Sequence, residues 1–415
     1  MCGKWPGPGG GYGVGGPWSA PRVCYSPVTG VNTTGFRWPG QAASGIMEDR
    51  FGKARRYMAI VLLLVGLTLL IAGAELLVRG ASRLAKAVGL PSLIIGLTVV
   101  AYGTSAPEFA VSIRAGLTGQ TDIAVGNVVG SNTFNVLLIL GLSALIVPLA
   151  ASSQLVRLDV PVMIGVSGLT WLMAADAVVG RLEGLVLSAV MVAYTTILIC
   201  TGKKRSLVEA APEKGADRSS GDPRRLACSV VFVIVGLAFL VLGSRWLVQG
   251  SIGLARLLGV SELLIGLTIV AAGTSMPEAA TSVVASIRGE RDIAVGNVVG
   301  SNIFNVSAVL GLSAVVAPQG VAIAPSALRF DLPVMTATAI VCLPVFFTGG
   351  RISRAEGLLF LLYYVAYVVF LVLHATSELQ AALFGTAIVW FAGPLTLVGL
   401  ALSVLYAIRR RRLQS

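Results

Sequence analysis

Asp122–Asn132 reads DIAVGNVVGSN, and the same eleven letters return at Asp292–Asn302. The offset, 292 − 122 = 170, aligns Gly96–Ala144 with Gly266–Ala314 without a gap, and 33 of those 49 positions are identical. Two unrelated apolar segments do not agree at that rate, so the chain contains an internal repeat. The offset also carries GAELLVRGA (Gly73–Ala81) onto GSRWLVQGS (Gly243–Ser251). At a slightly larger offset RLDVPVM (Arg157–Met163) meets RFDLPVM (Arg329–Met335).

The surroundings of the string are apolar. Of 415 residues, 55% are hydrophobic and 12% charged, a balance outside that of soluble domains. Apolar runs approach the roughly 20 residues that a helix needs to cross a bilayer. They predict spans at Ala59–Val78, Leu90–Ala115, Ile123–Val147, Val160–Ala175 and Leu182–Cys200. A second group follows at Leu226–Val248, Leu263–Ile287, Ile293–Val316, Leu332–Phe347 and Ala355–Leu373, with one more at Ala382–Ile408. An odd number of spans per copy makes the second copy enter the bilayer from the opposite face. The sequence therefore predicts an all-α polytopic membrane protein: two inverted five-helix repeats forming a ten-helix core, plus an extra C-terminal transmembrane helix.

Its parts are a Gly/Pro-rich extension over 1–46, expected to be disordered, repeats over 57–201 and 226–374, a linker over 202–225, and the extra helix with a basic tail over 380–415. Met47 or Met58 is expected as the natural start. The net charge of +12 sits between spans and at the ends, which speaks for membrane orientation and against a nucleic-acid partner. Gly202–Arg225 holds seven basic and four acidic residues and is placed in the cytoplasm, as is the C-terminal Arg409–Arg412. Arg50, Lys53, Arg55 and Arg56 run against this assignment. The five cysteines have no paired spacing, so neither a disulfide framework nor a zinc site is indicated.

The second span carries AYGTSAPEF (Ala101–Phe109) and the seventh AAGTSMPEA (Ala271–Ala279). Pro107 and Pro277 donate no backbone hydrogen bond and free carbonyls near Gly103 and Gly273. Ser105 and Thr104 stand three and four residues before Glu108, which on a continuous helix puts hydroxyl and carboxylate on one face. A carboxylate in hydrocarbon costs several kcal/mol, so Glu108 and Glu278, with no Lys or Arg in the apolar stretch around them, call for cations or protons. Asn127, Ser131 and Asn135, and likewise Asn297, Ser301 and Asn305, recur every four residues as one polar stripe of the oxygen type that suits Na⁺ and Ca²⁺. Within the repeated string the bland readings are stronger. Gly126/Gly130 and Gly296/Gly300 read as close helix packing, Asp122 and Asp292 as N-caps, and Asn132 and Asn302 as helix-to-helix bonds as readily as ligands.

The paired GTSxPE and GNVVGSNxFN segments resemble the two repeats of the cation/calcium antiporter superfamily, whose best-known members are sodium/calcium exchangers. The resemblance covers nearly all of Ala59–Leu373. It implies a ten-helix core whose motif helices surround adjacent Ca²⁺ and Na⁺ sites. By motif position, Glu108 and Glu278 would be the shared carboxylates, and Thr104 and Thr274 would add oxygens to the Ca²⁺ site. Ser105, Ser275, Ser131 and Ser301, with the carbonyls of Ala101 and Ala271, would complete the Na⁺ sites, while Asn135 and Asn305 would line the middle. Several members carry Asp at the position of Asn305; here both halves carry Asn, and two carboxylates neutralise one Ca²⁺ or two Na⁺.

The expected function is Ca²⁺/Na⁺ antiport across a prokaryotic inner membrane by alternating access, with H⁺-coupled or K⁺-dependent antiport at the same residues as the alternative. No cofactor is expected beyond the transported ions. The lipid bilayer and these ions are the partners, and a monomer suffices. A channel gains nothing from inverted broken helices. An enzyme finds little to work with, since the only histidine, His374, ends the tenth span.

Overall fold

The computed structural model describes residues 39–209, 223–347 and 350–388, with scattered positions beyond. Gly52–Ser415 form one compact unit that holds both repeats. The first repeat comprises α1 (Pro39–Val88), α2 (Ser92–Thr104), α3 (Ala106–Leu117), α4 (Thr121–Ile146), α5 (Leu155–Asp176) and α6 (Arg181–Glu209). The second comprises α7 (Pro223–Leu257), α8 (262–273), α9 (Met276–Ile287), α10 (Arg291–Val316), α11 (Ala327–Phe347) and α12 (Arg354–Thr376). A short α13 (Glu378–Ala387) follows and rests on α12. It begins ahead of the expected Ala382–Ile408 span, which is described only in part.

Among the described residues eight helices are long and apolar enough to cross a membrane, and α2 with α3, bent by 49°, makes a ninth. The second and seventh spans are broken rather than continuous. At Ser105 (φ −81°, ψ 8°) and Ser275 (φ −87°, ψ 7°) the backbone leaves the helical region, and Pro107 and Pro277 then sit in the first turn of α3 and α9. Proline is tolerated there, because a first-turn N–H has no intrahelical partner to lose. Helix α1 starts at Pro39, inside the extension expected over 1–46; residues 1–38 lie outside the described residues. One expectation needs correction. Asp122 and Asp292 are not N-caps. The cap positions are Gln120 and Glu290, neither with a side-chain cap, and the aspartates fall inside the first turn, where a negative charge still suits the helix dipole.

The repeated string occupies the centre. Of the 18-residue apolar windows of α4 and α10, 72% and 83% are buried, against 6% for α12, so the motif helices form the inside of the bundle. On the periphery α1 and α7 run together along glycines spaced by seven: Gly66, Gly73 and Gly80 against Gly236, Gly243 and Gly250. A Cβ at Gly66 would stand 2.4 Å from the Leu247 nitrogen and one at Gly243 2.7 Å from that of Leu70. The two backbones thus touch, as small residues permit in a bilayer that offers no hydrophobic gain for larger ones. Two short antiparallel pairings close the repeats on each other: β1 (Leu149–Ala150) with β4 (Arg351–Ile352), and β2 (Val178–Val179) with β3 (Val321–Ala322).

Candidate cation site

The breaks at Ser105 and Ser275 decide which hydroxyl meets which carboxylate. Ser105 Oγ donates to Glu278 Oε1 at 2.9 Å, and Ser275 Oγ lies 3.0 Å from Glu108 Oε1. The continuous-helix reading that paired Ser105 with Glu108 is therefore corrected: with the helix interrupted, each serine serves the carboxylate of the other repeat. Both Glu108 and Glu278 are fully buried, and each lies in the first turn of the helix after its break. There the unpaired N–H groups and the positive end of the dipole favour a carboxylate.

Behind each carboxylate stands an asparagine. Asn127 Nδ2 donates to the Glu108 carbonyl (3.1 Å) and to Ser112 Oγ (2.9 Å), and its Oδ1 accepts from Thr274 (3.2 Å). Asn297 repeats this with the Glu278 carbonyl (3.3 Å), Ser282 Oγ (2.9 Å) and Thr104 (3.1 Å). Asn127 and Asn297 lie on the polar stripe read from the sequence. Ser112 and Ser282 went unread there, since a serine in an apolar helix has no signal of its own.

A second, twofold-like network crosses the molecular centre. Asn132 Nδ2 donates to the backbone oxygen of Asn302 (3.1 Å), and Asn302 Nδ2 to that of Asn132 (3.3 Å). Their side-chain oxygens must then accept, and they do, from Asn305 Nδ2 (3.1 Å) and Asn135 Nδ2 (3.0 Å). Asn132 and Asn302 thus bind the repeats together.

This bonding leaves Asn135 Oδ1 and Asn305 Oδ1 buried without a hydrogen-bond partner, and the same holds for Glu108 Oε2 and Glu278 Oε2. Buried acceptors normally find donors, so these two pairs of orphans, one from each repeat, require an explanation. All four are hard oxygens, the ligand type of Na⁺ and Ca²⁺. No cluster of three or more His, Cys, Asp or Glu exists among the described residues, so a cation here would rest on two carboxylates and neutral oxygens.

The flanks differ. On one, Ser301 Oγ donates to the Ala101 carbonyl at 3.4 Å, and Ala101, Thr104 and Asn297 are buried. On the other, Ser131 Oγ lies 2.9 Å from Ser275 Oγ and 3.5 Å from Glu108 Oε1, while Ala271 is exposed and Thr274 and Asn127 are half-buried. Of the twelve residues read from the sequence, Ser105, Glu278, Thr104, Ala101 and Ser301 are joined through Asn297, Glu108, Ser275, Ser131 and Thr274 through Asn127, Asn135 and Asn305 belong to the central asparagine network, and Ala271 stands exposed. The expected glycine packing holds on one side alone. Gly296 and Gly300 pack on Leu93, Leu97 and Ala101, a Cβ at Gly300 falling 2.5 Å from the Leu97 oxygen, whereas Gly126 and Gly130 have nothing within 4 Å.

The model of the sodium/calcium exchanger protein family matches residues 58–200 and 228–373, the two repeats. The chain belongs to this family. It is 34% identical over 353 residues to sodium/calcium exchanger MaX1 of Methanosarcina acetivorans, covering 75% of this chain and 97% of that one. It is 39% identical over 291 residues to inner membrane protein YrbG of Escherichia coli, covering 68% and 87%. The solved sodium/calcium exchanger from Methanococcus jannaschii superposes with a TM-score of 0.65 at 27% identity, over 76% of this chain and 98% of that one. This membrane-spanning member of an exchanger family is thus a cation antiporter of the transporter class and not an enzyme. The extra helix, α13 and beyond, lies outside the family match.

Proposed function

We propose that this chain is a secondary antiporter that exchanges Ca²⁺ for Na⁺ across the cytoplasmic membrane by alternating access, with residues 202–225 and the C-terminus in the cytoplasm. The observation that carries the proposal is the set of four unpartnered acceptors, Glu108 Oε2, Glu278 Oε2, Asn135 Oδ1 and Asn305 Oδ1, at the centre of an apolar bundle. In this reading Glu108 and Glu278 hold either ion. Thr104 and Thr274 add oxygens for Ca²⁺, and Ser105, Ser275, Ser131 and Ser301, with the Ala101 and Ala271 carbonyls, hold Na⁺. With the linker in the cytoplasm, the exposed rim at Ala271, Thr274 and Asn127 faces outward, and the Gly296/Gly300 seam is the closed inner side.

The function is read from uptake of ⁴⁵Ca²⁺ into proteoliposomes under an imposed Na⁺ gradient at clamped pH. Uptake that follows the Na⁺ gradient supports the reading, and uptake indifferent to it sinks it. A second reading, H⁺ coupling, is favoured by one observation: Glu108 and Glu278 are fully buried with hydroxyl neighbours and no cationic side chain bonded to either. Protons, like metal cations, can supply the positive charge that a carboxylate at membrane depth requires. Uptake driven by a pH gradient at equal Na⁺ identifies that case.

A further inference from the structure

The outer helices of the second repeat enclose a space that the ion site does not use. Between α11, α12 and α13 lies a cavity of about 400 Å³, and one of its walls, Gly385 with Thr396 beyond it, falls outside the family match. The lining forms one stripe on each long helix, from Phe330 to Val341 on α11 and from Leu359 to Phe370 on α12. Each stripe covers 341 − 330 = 370 − 359 = 11 residue steps, about 16 Å at the helical rise. The cavity is therefore a slot parallel to the helices. Its length is close to one leaflet, half of a hydrocarbon core roughly 30 Å thick.

One end of the slot lies near the membrane boundary. There Phe330 stacks on Phe370 (4.2 Å between ring centres), close to the start of α11 at Ala327 and to the end of α12 at Thr376. Arg329 precedes the first ring and His374 stacks on the second, and both are exposed. From that end the slot runs inward.

Its chemistry limits what it can hold. Among the described residues no charged side chain lines it, and each hydroxyl that does is already bonded. Thr338 donates to the Met335 carbonyl (2.8 Å), Tyr367 to Asp331 (3.3 Å), and Tyr363 pairs with Thr396 (2.5 Å). A polar guest would give up water for little in return, whereas an apolar one gives up nothing. The slot is also continuous with the lipid-facing surface: Ala337 in its wall is exposed, and the apolar window of α12 is only 6% buried. What adjoins it is the bilayer in which this membrane-spanning chain sits.

We propose that the slot binds one acyl chain of a membrane phospholipid, with the headgroup at the Arg329 and His374 end and the chain between α11 and α12, covered by α13. Leu137 on α4, two residues past Asn135, also lines the slot, so the bound chain touches a motif helix. The extra helix thereby acts as the cover of a lipid site. Ion exchange and this site stand or fall separately.

The full chain in proteoliposomes tests this, with a phosphatidylethanolamine that carries a diazirine near the end of one acyl chain. Adducts formed on irradiation are mapped by peptide mass spectrometry. Val341 and Leu359 line the slot, whereas their neighbours Ile340 and Leu358 are 51% and 48% exposed and meet the bulk bilayer. The expected result is more adduct on Val341 and Leu359 than on Ile340 and Leu358. Equal or larger yields on the exposed neighbours, the pattern of lipid that merely surrounds the protein, overturn the proposal. Val334→Trp and Ala366→Trp fill the slot from opposite walls. Either variant that elutes as folded protein should lose about tenfold or more of the Val341 and Leu359 adducts, because the indole competes for the space of the chain, while adducts on Ile340 and Leu358 persist. Slot adducts that survive unchanged in a folded variant also overturn it.

Discussion

Gly296 and Gly300 belong to the same eleven letters as Gly126 and Gly130, yet the first pair is pressed against the backbone of α2 and the second faces open space. Gly96 and Gly266 divide the same way: a Cβ at Gly96 would lie 3.0 Å from Ile293 Cα, and one at Gly266 would meet nothing within 4 Å. Two equivalent seams between repeats thus stand in two conditions, α2 closed on α10 and α8 open beside α4. The closed seam has an extra tie that its counterpart lacks by sequence. Glu75 on α1 pairs with Arg79 and with Arg288 (2.8 Å to Nε), and Ser82 donates to Glu290 at 2.7 Å. At the 170-residue offset, Glu75 and Arg288 correspond to Arg245 and Thr118, which cannot form that pair. The same eleven letters can hold different contacts because a glycine seam lets backbones approach or part, and a few flanking side chains add a small bias to which seam is closed.

The largest effect is expected where the two halves do not differ. Glu108→Gln and Glu278→Gln should each lower ⁴⁵Ca²⁺ transport by about a hundredfold or more, since each removes half of the compensating charge at membrane depth. Equal losses, in variants that still elute as folded protein on size-exclusion chromatography, support a shared site; wild-type transport in either breaks it.

The glycines then separate the seams. Gly300→Ala drives a methyl group into the Leu97 carbonyl and should cost about 1–3 kcal/mol, read as a lower thermal midpoint. Gly130→Ala meets open space and should leave stability unchanged or raise it by roughly 0.5–1 kcal/mol through helix propensity, read as an equal or higher thermal midpoint, while slowing transport because the α8–α4 seam can no longer close. Equal destabilisation by both would erase the distinction drawn between the seams.

Accessibility sharpens it further. In a background freed of native cysteines, Ala271→Cys should react with a membrane-impermeant thiol reagent at least about tenfold faster than Ala101→Cys, since Ala271 is exposed and Ala101 is 0% exposed. The smallest effect belongs to Glu75→Gln. With Glu75 22% and Arg288 50% exposed, the pair is worth about 0–1 kcal/mol, so the balance between seams, read as the Ala101→Cys labelling rate, should shift less than about fivefold.

Much of this was legible in advance, for a physical reason. A bilayer restricts spanning structure to helices of known length, so hydropathy alone predicted ten core spans, nine of which meet that length and apolarity among the described residues, and an odd count per repeat made them inverted. The carboxylates stood out because Glu108 and Glu278 are costly where they are. Other features were hidden in the letters. That Ser105 serves Glu278 depends on a helix break whose direction no periodicity reveals, and Ser112 and Ser282 look like ordinary small residues of an apolar helix. The sevenfold glycine spacing of α1 and α7 is visible in the sequence, but its meaning requires the partner helix.

From the sequence alone came the repeat, its inversion, the membrane-spanning class and the polar letters that a cation could use, because these follow from composition, length and identity at a fixed offset. Tertiary structure alone decided which oxygens are left without a donor, which serine crosses to which carboxylate, and which of two identical seams is closed. Those depend on how two copies of one segment approach each other, and identical letters cannot encode a difference between their environments.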